Sequence, residues 1–311
     1  MIQSKDCCKI LKGKGNKGTT TVIFALLLTT ILGFAAFTTD IGIIVMERSK
    51  LSAAVDSAAL AGAQELVVNP ENSGTMAQEY VLKNQPEARS ISISIDPDNR
   101  GIEVSAVETA NIYFARVLNN SFADISTLAK ARIENIKSLS GARPLAVVQQ
   151  TFVYGREYTL KEGAGDGTTG NYEALALGGT GGSNYSGNML DGYEGTISVG
   201  DLIYTETGNM AGNTHSTINQ LINRCDHDPP CTYDSYKVNC PKVIFVPVVD
   251  TLAVNGRKCV RVLGFATFFL GGVTGDSGQA DVTGRFITYN MQGETANDIG
   301  DFGTYGIRLV R

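Results

Sequence analysis

Four cysteines in the last third of the chain, Cys225, Cys231, Cys240 and Cys259, carry the most chemistry the sequence offers. In an oxidising compartment, four such thiols predict two disulfides, with three connectivities open. Cys259 follows a hairpin signal, so a bond to it would tie a strand to the proline-containing loop CDHDPPC at 225–231. Closing loops of this length stabilises a fold by roughly 2–4 kcal/mol per bond. The competing chemistry is metal binding by Cys225, His227, Cys231 and Cys240, whose sulfur and nitrogen atoms suit zinc. Their spacing lacks the tight C-x2-C pairs of common zinc sites, so disulfides are the expectation, and neither a metal nor a cofactor is assigned. Near the N-terminus, Cys7 and Cys8 are read as reduced thiols in preference to acylation sites.

Other catalytic patterns are poorly supported. The chain has two histidines, His215 and His227, and no G-x-S-x-G. The glycine clusters GAGDGTTG, GGTGG and GGVTGDSG match neither a phosphate-binding loop nor a dinucleotide fingerprint, and read as surface turns. The turn DPDNRG at 96–101 lacks the later ligands and terminal Glu of a calcium loop. These observations argue against an enzyme.

Which thiol chemistry applies depends on where the cysteines lie. Residues 19–39 are an uncharged, largely apolar run of about 30 Å as a helix, the thickness of a bilayer core. Residues 1–18 carry Lys5, Lys9, Lys12, Lys14 and Lys17 against the single acid Asp6, while the rest of the chain is acidic. A basic tip before an apolar run predicts a cytoplasmic N-terminus, with residues 40–311 outside. The run is long for a signal-peptide core, and no small-x-small cleavage site follows closely. A basic tip on an acidic body also argues against nucleic-acid binding.

Past the apolar run the helical pattern continues. Ile44, Leu51, Val55, Ala58, Gly62 and Leu66 fall on one stripe, and Asn69-Pro70 ends it. The expected fold is α+β: a basic tail (1–18), a transmembrane helix (19–39), a stalk helix (40–69), a small α+β unit (70–140) and a β-rich domain (141–311). In the small unit, helix 75–84, strands 90–95 and 102–106, a second helix 112–118 and a strand at 129–133 form one sheet with helices on one face. In the β-rich part, strands are expected in 147–155, 171–179, 195–208, 242–250, 257–270 and 281–290, the last being the final one. One short helix is expected at 214–224, with Asn213 or Thr214 as N-cap. Asn255-Gly256 marks a hairpin.

The stretch from Lys17 to Gln64 resembles a known family. KG at 17–18, VIFALLL at 22–28, FAAFTTDIG at 34–42 and KLSAAVDSAALAGAQ at 50–64 are similar to the N-terminal region of TadE/TadG-like pilus-assembly proteins of the tight-adherence (Flp-type) system, nearest the TadG-like branch. The most specific part is Asp56 through Ala58, Ala59, Leu60, Ala61, Gly62 and Ala63. The resemblance implies a pilin-like or pilus-associated component. In related prepilins a basic leader ends in Gly, and Glu stands at the fifth mature position. Here Lys17 and Gly18 would end the leader, and the fifth residue after it is Ile23, so an uncleaved anchor is expected.

These readings combine into a non-enzymatic, single-pass protein of the bacterial cell membrane that supports Flp-type pilus assembly or surface attachment. Its expected partners are other pilus-assembly or pilin-like membrane proteins. The stripe on the stalk is expected to pack against sibling helices, with packing on the chain's own α+β unit as the alternative. The rival functions are an adhesion or carbohydrate-binding ectodomain unrelated to pili, or a membrane-anchored envelope hydrolase.

Overall fold

The computed structural model of the chain describes residues 17–118, 122–161, 171–208, 210–275 and 280–310. Residues 1–16 of the basic tail, with Cys7 and Cys8, and the cluster GAGDGTTG lie outside the described residues. In chain order the elements are α1 (Lys17–Val68), α2 (Ser73–Asn84), β1 (Arg89–Ile95), β2 (Gly101–Asn111), β3 (Phe122–Ser140), β4 (Val147–Val148), β5 (Glu157–Lys161) and β6 (Asn171–Leu175). There follow α3 (Gly182–Asp191), β7 (Thr196–Ser198), β8 (Leu202–Thr207), α4 (Ala211–Asn223), β9 (Val243–Val249), β10 (Cys259–Thr274), β11 (Asp281–Ile287), β12 (Tyr289–Asn290), β13 (Glu294–Ala296) and β14 (Thr304–Val310).

The apolar run and the Ala-rich stripe form one unbroken helix of 52 residues, about 78 Å long at 1.5 Å per residue. Among the described residues none covers its segment 18–35: Phe24 and Phe34 are 65% and 69% exposed. The second half is a core helix. Leu51, Val55, Ala58, Ala59, Ala63 and Leu66 are buried against Ala77 and Val81 of α2, Ile102 and Val104 of β2, and Ala129 and Ala131 of β3. The stripe expected to meet sibling helices is therefore covered by the chain's own α+β unit. Gly62 is where this packing is tightest. A Cβ there would come within 2.6 Å of Ile102 Cδ1 and 3.1 Å of both Ala77 Cβ and the Ser73 carbonyl oxygen.

The helix ends at Val68, as Asn69-Pro70 predicts. Its last carbonyls find donors far along the chain. Thr288 Oγ1 donates to the Val67 carbonyl at 2.9 Å, and Asn290 Nδ2 to that of Gln64 at 3.0 Å. These bonds satisfy acceptors that a helix end leaves open.

The first sheet runs β1-β2-β3-β14-β12, with β7 and β13 also on β3. Two expectations are corrected here. Residues 112–118 form only a short 3-10 turn, Ala115–Leu118, not a second helix. Seven residues rich in aromatic and branched side chains are too few to sustain an isolated helix. The last strand is Thr304–Val310, not 281–290. It pairs antiparallel with β3, so the end of the chain completes the sheet begun at residue 89. The segment 281–290 breaks at Thr288, whose hydroxyl is drawn to the end of α1.

The second sheet runs β4-β9-β10-β11-β5, with β8 on β10 and β6 on β8. The run VIFVPVV is β9. Ile244, Val246 and Val248 face a core with Tyr185 and Met189 of α3 and Ile218 and Leu221 of α4. Phe245 and Val249 face a second core shared with Ile136 and Leu139 of β3, which explains an apolar run without alternation. Buried Thr267 and Thr304 join their hydroxyls at 2.8 Å between β10 and β14.

Two helices, not one, lie on this sheet. The glycine-rich sequence of α3 hides its helical character. The start of α4 also differs from expectation: it begins at Ala211 behind Met210, and Asn213 does not cap it. Asn213 Nδ2 instead donates to the Gly182 carbonyl and to Ser186 Oγ, each at 2.8 Å, joining the two helices. Asn255-Gly256 lies in the connection from β9 to antiparallel β10, with Gly256 at φ +66°.

Candidate functional site

Two regions concentrate the residues singled out from the sequence. The first is α1. Lys17 and Gly18 stand at its N-terminal end, and Ile23 is exposed on the apolar half. Asp40, the first charge after the apolar run, is buried. It accepts backbone N–H bonds from Tyr113 at 3.0 Å, Phe114 at 3.1 Å and Ala115 at 2.7 Å. A carboxylate next to an apolar segment needs such donors to remain charged. The bonds fix the β2–β3 connection to the helix where the apolar run ends. Tyr113 and Phe114 keep their rings exposed at that level. This cap was missed in the sequence. The only signal was a lone acid at the edge of an uncharged stretch.

In the motif, Ala58, Ala59, Ala61, Gly62 and Ala63 are buried, and Asp56 and Leu60 are half-buried. Asp56 forms neither a hydrogen bond nor an ion pair among the described residues. Ala53, one turn before it, is exposed. The motif thus has an inward face that packs and an outward flank that keeps an unpaired carboxylate.

The second region is the loop between α4 and β9. Cys225 follows the helix end, its N–H bonded to the Ile222 carbonyl at 3.2 Å. Cys240 precedes β9, and its carbonyl accepts from the Val243 N–H at 2.9 Å. Between them, Lys242 Nζ holds the Cys231 carbonyl at 2.9 Å. These anchors turn three side chains and His227 toward one point. His227 Nδ1 lies 3.2 Å from Cys231 Sγ and 3.6 Å from Cys225 Sγ, and Cys225 Sγ lies 3.5 Å from Cys240 Sγ. All four ligand atoms fall within 4.8 Å of one another. Cys231 and Cys240 are buried among Val243, Phe269 and Ile287, with Tyr236 and Tyr289 packed at the edge.

The thiols are electrostatically unequal. For Cys225, burial acts to raise the pKa. It is outweighed by the Cys231 backbone N–H and by hydrogen bonds with His227 and Cys240, which hold it below its usual value. Burial pushes Cys240 up, and its contacts with Cys225 and Cys231 push the same way.

Cys259 does not join this group. It opens β10 opposite Tyr204 and is exposed. The four cysteines thus divide into a group of three with a histidine, of which Cys231 and Cys240 are buried and Cys225 half-buried, and a separate one in a strand.

Several ionisable groups elsewhere have structural partners. Buried Glu134 accepts from Thr295 Oγ1 at 2.6 Å, Asn297 Nδ2 at 3.0 Å and Arg308 Nε at 2.9 Å, linking β3, β13 and β14. His215, on α4, meets Asn219 at 3.4 Å, away from the cysteine loop. Asp96 of the DPDNRG turn pairs with Lys130 at 2.7 Å and Arg132 at 2.8 Å, so its carboxylate pins a hairpin.

The architecture is that of a two-sheet α+β body on one N-terminal helix long and apolar enough to cross a membrane. Residues 18–65 match a family model described as Flp pilus-assembly TadE/G-like, so the likeness lies in this N-terminal segment. The match covers the exposed half of α1 and most of its buried half. No curated protein and no solved structure matches the chain.

Proposed function

We propose that the protein is a non-enzymatic, membrane-anchored component of Flp-type pilus assembly or surface attachment, nearest the TadG-like branch. Residues 19–39 span the membrane once with the N-terminus in the cytoplasm, and the two-sheet body lies outside. The observation that carries this reading is the family match over 18–65, on a helix whose first half is bare and whose second half is built into the body. The helix Lys17–Val68 is unbroken and couples anchor to body without a flexible joint, as a part that transmits force or sets position requires. The exposed rings of Tyr113 and Phe114, tied to Asp40, suit the headgroup region where amphipathic aromatics settle.

Partners are other pilus-assembly or pilin-like membrane proteins. With the inward stripe occupied, they are met by the bare apolar half of α1 and by the outward flank at Ala53 and Asp56. An unpaired carboxylate on that flank suits a cation on a neighbouring helix. The test is cross-linking in intact cells, followed by affinity capture of the full chain and identification of the captured proteins. Recovery of pilin-like or TadE/G-like proteins, reduced by Asp56→Ala with membrane insertion intact, supports the reading. Capture of unrelated envelope proteins alone overturns it.

A further inference from the structure

We propose that Cys225, His227, Cys231 and Cys240 form a structural zinc site that clasps the α4–β9 loop onto the second sheet. The geometry carries this assignment. Zinc binds thiolate sulfur at about 2.3 Å and imidazole nitrogen at about 2.0–2.1 Å in a tetrahedron. The edges of that tetrahedron are then about 3.8 Å between two sulfurs and about 3.6 Å between sulfur and nitrogen. The observed Cys225–Cys240 and Cys225–His227 separations are 3.5 and 3.6 Å, and that of Cys231–His227 is 3.2 Å. All six edges lie within 4.8 Å, so a single ion reaches all four atoms with small side-chain adjustments.

The composition of the cluster points the same way. Three sulfurs cannot all pair among themselves: one disulfide leaves a third thiol buried beside an imidazole. A metal uses all four groups. Three thiolates and one imidazole in a tetrahedron are soft, closed coordination, which selects zinc over the oxygen-loving magnesium and calcium. Cys259, exposed on β10, is outside the site and stays a free thiol.

Four protein ligands leave no open position for water, so the site does no Lewis-acid chemistry. Its effect is on folding. The loop from 224 to 242 contains no strand or helix of its own, and its buried Cys231 and Cys240 pack with Phe269 and Ile287. A zinc ion would bind the end of α4, the loop's midpoint and the approach to β9 at one point, holding exposed Tyr233 and Val238 in place. The spacing C-x-H-x3-C-x8-C escaped the sequence pattern because its pairs are not two residues apart. The helix end and the backbone bonds around Lys237 close those gaps.

The experiment is multi-element metal analysis of the full chain, extracted in detergent without reductant or chelator, with residue-resolved alkylation by mass spectrometry. About one zinc per chain is expected. Cys225, Cys231 and Cys240 should resist alkylation until a chelator is added, while Cys259 reacts at once. Cys231→Ser should weaken zinc retention by more than the roughly 10–100-fold that loss of an outer-shell partner costs, whereas Cys259→Ser leaves it unchanged. If Cys231→Ser does not fold, wild-type protein stripped of metal and refilled with cobalt supplies the readout. Thiolate-to-cobalt charge-transfer bands with tetrahedral visible absorption are expected. A Cys225–Cys240 disulfide in the unreduced digest, a Cys259 disulfide to any of the three, or iron or copper in place of zinc would overturn the assignment.

Discussion

Replacing Gly62 with leucine tests the central structural claim, that the family motif packs inward. The glycine faces Ile102 Cδ1 at 2.6 Å from a virtual Cβ, and Ala77 Cβ and the Ser73 carbonyl oxygen at 3.1 Å. The isoleucine tip can rotate away. The alanine and the carbonyl belong to neighbouring α2 and cannot move without shifting that helix. Leucine adds three further carbons in the same direction. Overpacking of this kind costs about 1–3 kcal/mol, toward the upper end where backbone stands in the way. Leucine's better helix propensity offsets about 0.8 kcal/mol. The expected net loss is about 2 kcal/mol, or about 4–8 °C in Tm for a domain of this size. The chain has no tryptophan, so far-UV circular dichroism of the detergent-solubilised full chain is the suitable melt. Ala53→Leu, on the exposed flank, should stay within about 0.5 kcal/mol of the parent. A Gly62→Leu protein that melts at or above the parent would show that this face is not a core.

Three further outcomes are expected. Asp40→Ala removes the acceptor for the N–H groups of residues 113–115, so hydrogen exchange there should accelerate about tenfold or more with little change in global Tm; unchanged exchange would mean that the cap does not form. Thr214→Val strips the buried Tyr185 hydroxyl of its 2.9 Å partner at nearly constant volume, and a melt should register a loss of about 1–3 kcal/mol. Protease added to intact spheroplasts should digest the body and spare a small N-terminal fragment, and protection of the body with cutting at the N-terminus would reverse the proposed orientation.

Much of the local structure is readable from the residues. The uncharged run, the stop at Asn69-Pro70, the alternation of SISISI and the turns at DPDNRG and Asn255-Gly256 each act over a few residues, where periodicity, proline sterics and turn preference dominate. Misreadings arose where a distant partner changed the local balance. The segment 112–118 looked helical, but its first N–H groups are taken by Asp40, some 73–75 residues earlier. Asn213 has the side chain of a helix cap, yet spends it on α3. The sequence of α3 is too rich in glycine and polar residues to announce a helix, and it is Tyr185 and Met189 against the second sheet that make it one.

The sequence alone determined that an apolar helix of membrane length follows the basic tail, that the chain's N-terminal segment is TadE/G-like and that the body is α+β, because hydropathy and helical period are properties of contiguous residues. Tertiary structure decided what those elements touch. A stripe of small residues has the same sequence whether it faces a sibling helix or its own sheet, and here α2, β2 and β3 occupy it. Four cysteines likewise have no geometry until the chain folds. The end of α4 and the start of β9 then bring three of them to one histidine, and β10 carries the fourth away. Contacts between residues far apart in the chain depend on which surfaces bury best together, and that free energy belongs to the assembled core, not to any segment of it.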